Sequence, residues 1–88
     1  MNEQDRPTRH PAVESAVFET EVVVYDDRSG TVHQLNPSAS AIWLLLDGRP
    51  LAAIVDTLHE TAGVPRDDLR PNVVQAITAF RDADLLAD

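Results

Sequence analysis

Apolar positions change their spacing twice along the chain, and each change marks a boundary. Residues 1–11 (MNEQDRPTRHP) are polar, carry Pro7 and Pro11 and show no period. They predict a flexible arm able to tighten onto a partner, ahead of one domain spanning residues 12–88. From Val13 onward the chain turns β-like: residues 16–25 (AVFETEVVVY) are rich in β-branched and aromatic side chains, which predicts a strand or a pair of strands. Asp26-Asp27-Arg28-Ser29-Gly30 follows as a turn, and Thr31-Val32-His33-Gln34-Leu35 resumes extended character. Residues 22–35 are therefore expected to form a β-hairpin.

After Leu35 the period becomes helical. Asn36-Pro37 is a helix start, with Asn36 as cap and Pro37 at a position whose N–H is not needed. The first helix is expected over about residues 37–46, with Ala39, Ile42, Trp43 and Leu46 on one apolar face and Gly48 as a left-handed C-terminal cap. A second helix, about residues 50–62, carries Leu51, Ile54, Val55 and Leu58 and ends at Gly63. A third, capped by Asp67 or Asp68, carries Leu69, Val73, Ala76, Ile77 and Phe80, after which Leu85-Leu86 returns to the core. About three antiparallel strands followed by three short helices make an α+β fold of winged-helix type.

Length and charge narrow the function. A chain of 88 residues holds one domain and one modest core. It has no cysteine, which excludes disulfide staples, thiolate metal sites and a Cys nucleophile. The N-terminus lacks the apolar stretch of a signal peptide, and the longest apolar run, residues 41–46, is far short of the roughly 20 residues of a membrane span. The expected location is the cytoplasm. Fifteen acidic residues against seven arginines give a net charge of −8, a surface that repels nucleic acid and anionic membrane.

Chemistry-bearing residues form no catalytic pattern. His10, His33 and His59 lack metal-ligand spacing, and His59-Glu60 begins a zinc motif that has no second histidine. Ser29, Ser38 and Ser40 have no evident base, and Ser38 and Ser40 look like ordinary helix residues. Asp26-Asp27 and Asp67-Asp68 read as solvated turn and cap carboxylates, and Trp43 as core. No enzyme activity, cofactor or metal is expected. A DNA-binding winged helix would need a basic recognition helix, whereas residues 67–84 set Arg70 and Arg81 against Asp67, Asp68, Asp82 and Asp84. A protein adaptor that never touches a peptide remains a further alternative.

The segment LNPSASAIWLLLDG, residues 35–48, resembles the PqqD family, with Leu35, Asn36, Pro37, Ala39, Ile42, Leu45, Asp47 and Gly48 at the positions of its characteristic stretch. A preceding hairpin, a following helix at residues 51–58 and the terminal Asp84-Leu85-Leu86 extend the resemblance over about residues 13–86. It implies a non-catalytic element that binds the leader of a ribosomally made precursor peptide. The leader would add as a strand to the hairpin's free edge, lie in a groove against the third helix, and be presented to a partner enzyme. For a free-standing chain a lasso-peptide pathway with a separate leader peptidase is the first expectation. A PqqD-type role beside a radical SAM enzyme is the alternative.

Strand addition needs an open edge, and Thr31, Val32, His33, Gln34 and Leu35 are the candidate strand. About four backbone hydrogen bonds at ~1 kcal/mol each barely offset the cost of association. Micromolar binding therefore requires two or three leader side chains in apolar pockets, at ~1.5–3 kcal/mol each. On the third helix, Val74, Ile77, Thr78 and Arg81 flank the core stripe and are the candidate pocket residues, with Arg81 able to meet a leader carboxylate. Core packing is the alternative reading for Val74 and Ile77. The sequence leaves open which strand face meets the leader.

Overall fold

Val24 pairs with Ser15 on one side and His33 on the other, so the second strand is the centre of a three-stranded antiparallel sheet. A computed structural model describes residues 1–87, with β1 (Val13–Phe18), β2 (Glu21–Asp26) and β3 (Thr31–Gln34) in the order β1-β2-β3. The helices follow: α1 (Pro37–Trp43), α2 (Leu51–Ala62) and α3 (Arg66–Asp82). The α+β order expected from the sequence is the one observed, including the hairpin across residues 22–35.

Alternation along β2 decides which face is covered. Val22, Val24 and Asp26 are buried, while Val23 and Tyr25 face away from the helices. The inner face packs on Ile42, Trp43, Leu46, Leu51, Ile54, Val55, Val73, Ile77 and Phe80, closed from below by Leu85 and Leu86. Trp43 has no exposed surface and meets the Phe80 ring edge-on, centroids 5.2 Å apart at 78°. Leu85 and Leu86 do return to the core, as their apolar character demanded.

Three boundaries differ from expectation. Asn36 caps α1, its Oδ1 accepting from the Ala39 amide at 2.8 Å, but the helix stops at Trp43 rather than Leu46. Leu45 and Leu46 make tighter bonds to Ile42 and Trp43, and the Leu46 carbonyl is taken by the Arg9 amide at 3.0 Å. Gly48 accordingly takes its positive φ of 96° in the loop beyond, not at the cap. The α3 cap is Pro65; Asp67 and Asp68 lie inside the first turn, where carboxylates oppose the positive helix end. Pro71 also sits within α3, removing the N–H that the Asp67 carbonyl would accept.

Residues 1–11, expected as a loose arm, run against the domain. The reason lies in α2, whose cap residue Pro50 has no side-chain acceptor. The first helical amides, Leu51 and Ala52, donate instead to the carbonyls of Asp5 (2.8 Å) and Glu3 (3.3 Å). Pro7 is fully buried, and His10 and Thr8 exchange backbone bonds with Leu85 (3.0 Å) and Ala87 (2.8 Å).

Candidate peptide-binding site

The backbone of β3 faces two ways. The Leu35 amide donates to the Val22 carbonyl at 2.9 Å, which sets the phase of the antiparallel ladder. Thr31, His33 and Leu35 turn their N–H and C=O groups toward β2, and Val32 and Gln34 turn theirs to the open edge. Of the five candidate strand residues, only these two offer main-chain groups outward. Side chains sort the same way: Thr31, His33 and Leu35 lie on the inner face with Val24 and Val22, and Val32 and Gln34 lie on the outer face with Tyr25 and Val23. Leu35 is buried, His33 half-buried and Val32 61% exposed.

A groove opens at the end of this strand. Asn36, Ala39 and Ile42 form one wall, and Asn72, Gln75, Ala76 and Ala79 of α3 form the other, enclosing about 450 Å³. Helical geometry, about 100° per residue, puts Asn72, Ala76, Ala79 and Ala83 in one stripe. The other end of α3 is tied back toward the start of β3. Arg28 binds the Asp26 carboxylate at 3.0 Å, donates to the Asp84 carbonyl, and lies 3.5 Å from the Asp84 carboxylate. Asp26 in turn pairs with Thr31. Arg28 thus links the turn before β3 to the residues just after α3. No Cα of β3 lies within 8 Å of one of α3. The groove itself begins at Asn36, directly after β3, and runs between α1 and α3.

The candidate residues of α3 are not among those lining this groove. Ile77 has no exposed surface and belongs to the core, so its side chain cannot receive a ligand without a rearrangement. Val74, Thr78 and Arg81 lie roughly 130–170° round the helix from the alanine stripe, and Val74 packs partly buried against the core. Arg70, on the same side as these three, forms an ion pair with Glu3 of the arm. Thr78 donates to the Val74 carbonyl at 2.8 Å, within its own helix. Part of the groove wall was present in the sequence as Ala76 and Ala79, three residues apart, but alanine carries no chemistry that marks it.

Two polar residues read as ordinary are not. Ser40 is 2% exposed and bonded to two backbone groups of the sheet. Asp26 is buried rather than solvated, and the Arg28 guanidinium beside it holds its carboxyl below the ordinary value. In the same way Arg49 lowers the exposed Asp47 carboxyl, in the loop after α1. Among the described residues no group of His, Asp or Glu is placed to hold a metal ion, and no helix is long and apolar enough to cross a membrane.

Comparison with known proteins agrees with this architecture. Among solved structures, TbiB1 in complex with the TbiA(beta) leader peptide matches with a TM-score of 0.82 and 30% identity, over 91% of this chain and 94% of that one. A lasso peptide synthetase B1 complexed with the leader peptide matches with a TM-score of 0.80 and 26% identity, over 96% of this chain and 100% of that one. No curated protein matches. The family model for coenzyme PQQ synthesis protein D (PqqD) matches residues 21–86, which takes in the sheet from β2 onward, all three helices and both walls of the groove. The chain therefore belongs to the PqqD family.

Proposed function

We propose that this protein binds the leader region of a ribosomally made precursor peptide, in lasso-peptide biosynthesis, and presents it to a partner enzyme that cleaves or modifies it. The leader adds antiparallel or parallel to β3, bonding the N–H and C=O groups of Val32 and Gln34. Its inward side chains enter the groove beside Ala76 and Ala79. The observation that carries this reading is the unpaired β3 edge leading into that groove, in a fold shared with two proteins solved with leader peptides bound. The other free edge, β1, is less suitable: it lies across the sheet from the groove, and its first amide, Val13, is already bonded to His10 at 3.0 Å.

The protein contributes binding and no bond-making chemistry of its own. Its buried hydroxyl, Ser40, is engaged by the backbone. His59 Nδ1 lies 2.7 Å from the Val64 carbonyl, and His10 Nδ1 accepts from the Ala12 amide at 3.0 Å. It acts in the cytoplasm, where precursor peptides are made. The partner is a separate leader peptidase; a radical SAM enzyme is the alternative within the family.

Titration of labelled leaders from lasso, quinone-cofactor and radical SAM precursors, followed by fluorescence polarisation, tests the reading. Micromolar or tighter binding of the lasso class alone is expected. Absence of binding to every leader at tens of micromolar would overturn it.

A further inference from the structure

The sheet has a face that nothing in the protein covers. The register places Ala16, Phe18, Val23, Tyr25 and Val32 on the side away from the helices. Phe18 is 62% exposed and Tyr25 39% exposed, and between them a shallow depression of about 320 Å³ lies over Ala16 and Val23. Large apolar side chains gathered on one exposed face mark an interaction surface more often than scattered ones do.

Its rim carries one sign of charge. Residues 13–27 contain Glu14, Glu19, Glu21, Asp26 and Asp27 and no Lys or Arg. Asp26 is buried on the inner face against Arg28 and Asp27 lies in the turn beyond β2, which leaves Glu14, Glu19 and Glu21 around the apolar centre. Glu14 lines the depression beside Tyr25, and Glu21 accepts only a neutral bond there, from Gln34 Nε2 at 3.3 Å. Glu19 occupies the β1–β2 turn with a φ of 58°, a position where glycine is the unstrained choice. A carboxylate is thus held at the hairpin tip next to Phe18.

We infer that this outer face docks the partner enzyme, through a surface on that enzyme with an apolar centre and a basic rim. The inference rests on the peptide-presenting function above. A second copy of the chain is a poor occupant, because stacking two such faces would oppose their carboxylates with no cation between them. An anionic membrane is disfavoured by the same charges. The face also adjoins the leader: Val32 and Gln34 point their side chains onto it while their main-chain groups meet the edge. An enzyme seated there would contact the leader strand directly.

The test measures two affinities on each variant: for the labelled leader, by polarisation, and for the purified leader peptidase of the same source, by biolayer interferometry. Phe18→Ser and Tyr25→Ser replace exposed side chains, and Glu14→Lys reverses one rim charge. Peptidase binding is expected to fall at least tenfold in each, and to weaken with added salt in the wild type, while leader affinity stays within twofold. Peptidase binding unchanged in all three variants would overturn the inference, as would wild-type protein that binds leader but not the peptidase. Sedimentation showing a dimer that Phe18→Ser dissociates would overturn it in favour of a second copy. Loss of leader binding in the wild type would instead overturn the function on which the inference rests.

Discussion

Ser40 Oγ lies 2.8 Å from the Val22 amide and accepts its hydrogen, while donating its own to the Leu35 carbonyl at 3.3 Å. In an unbroken ladder Val22 N–H would meet Leu35 C=O directly. The hydroxyl of α1 is inserted between them, so it ends the β2–β3 ladder and docks the helix on the sheet in one step. Ser40→Ala leaves both buried groups without a partner, a cost of about 1–3 kcal/mol. A domain of this size loses roughly 4–8 °C in Tm per kcal/mol, so a clear fall in melting temperature is expected. Ser38→Ala, on the exposed side of the same helix, should change stability by less than about 0.5 kcal/mol. Equal melting of the two variants by circular dichroism would contradict the role given to Ser40.

The alternation of β3 predicts a contrast between neighbouring prolines. Gln34→Pro removes an amide that faces the open edge, and Val32→Pro does the same two residues earlier. Both should weaken leader binding at least about tenfold, the loss of roughly 1.4 kcal/mol, with little change in Tm. His33→Pro removes an amide bonded to β2 and should lower Tm. If His33→Pro melted like the wild type while Gln34→Pro unfolded, the ladder phase would be reversed.

The two flanks of α3 can be separated in the same way. Ala79→Leu narrows the groove and should reduce leader affinity at least about tenfold, because an added side chain occupies the space proposed for the leader. Thr78→Leu adds comparable bulk on the other flank, and leader affinity should not change. Both positions are exposed, so both variants should fold. Circular dichroism and polarisation titrations distinguish the outcomes.

What the sequence revealed and what it hid follow from the reach of local pattern. The β-hairpin, the Asn36 cap and the core stripes rest on neighbours a few residues apart, and they are where the pattern placed them. The buried roles of Ser40 and Asp26 depend on partners brought by folding: Val22 eighteen residues away, and the Arg28 link to Asp84 fifty-six residues on. The end of α1 was misplaced because the arm, distant in sequence, takes the Leu46 carbonyl. Of the third-helix candidates, Ile77 is buried in the core and the other three do not line the groove, whose wall includes Ala76 and Ala79, small side chains that carry no chemistry to mark them.

The Asp26–Arg28 pair predicts the sign of an acid response. Arg28 holds the folded-state carboxyl of Asp26 below its ordinary value of 3.8, so the charged form is favoured by folding. The stability this contributes is fully present above the unfolded-state value. It is lost as pH falls from just above 3.8 through the folded-state value. Denaturant midpoints should therefore decline over that acid range in the wild type, and the decline should be shallower in Asp26→Asn. A parallel decline in the two proteins would mean that other carboxylates govern acid unfolding.

The central claim is that a leader peptide completes the β3 edge at Val32 and Gln34. Amide hydrogen exchange, resolved by residue with and without a lasso leader at saturation, tests it most directly. The Val32 and Gln34 amides should exchange rapidly in the free protein and become protected on binding, while His33, already bonded to β2, changes little. Leader binding that left both amides exchanging at the free rate, or that protected Ser15 and Val17 on the β1 edge instead, would contradict the account.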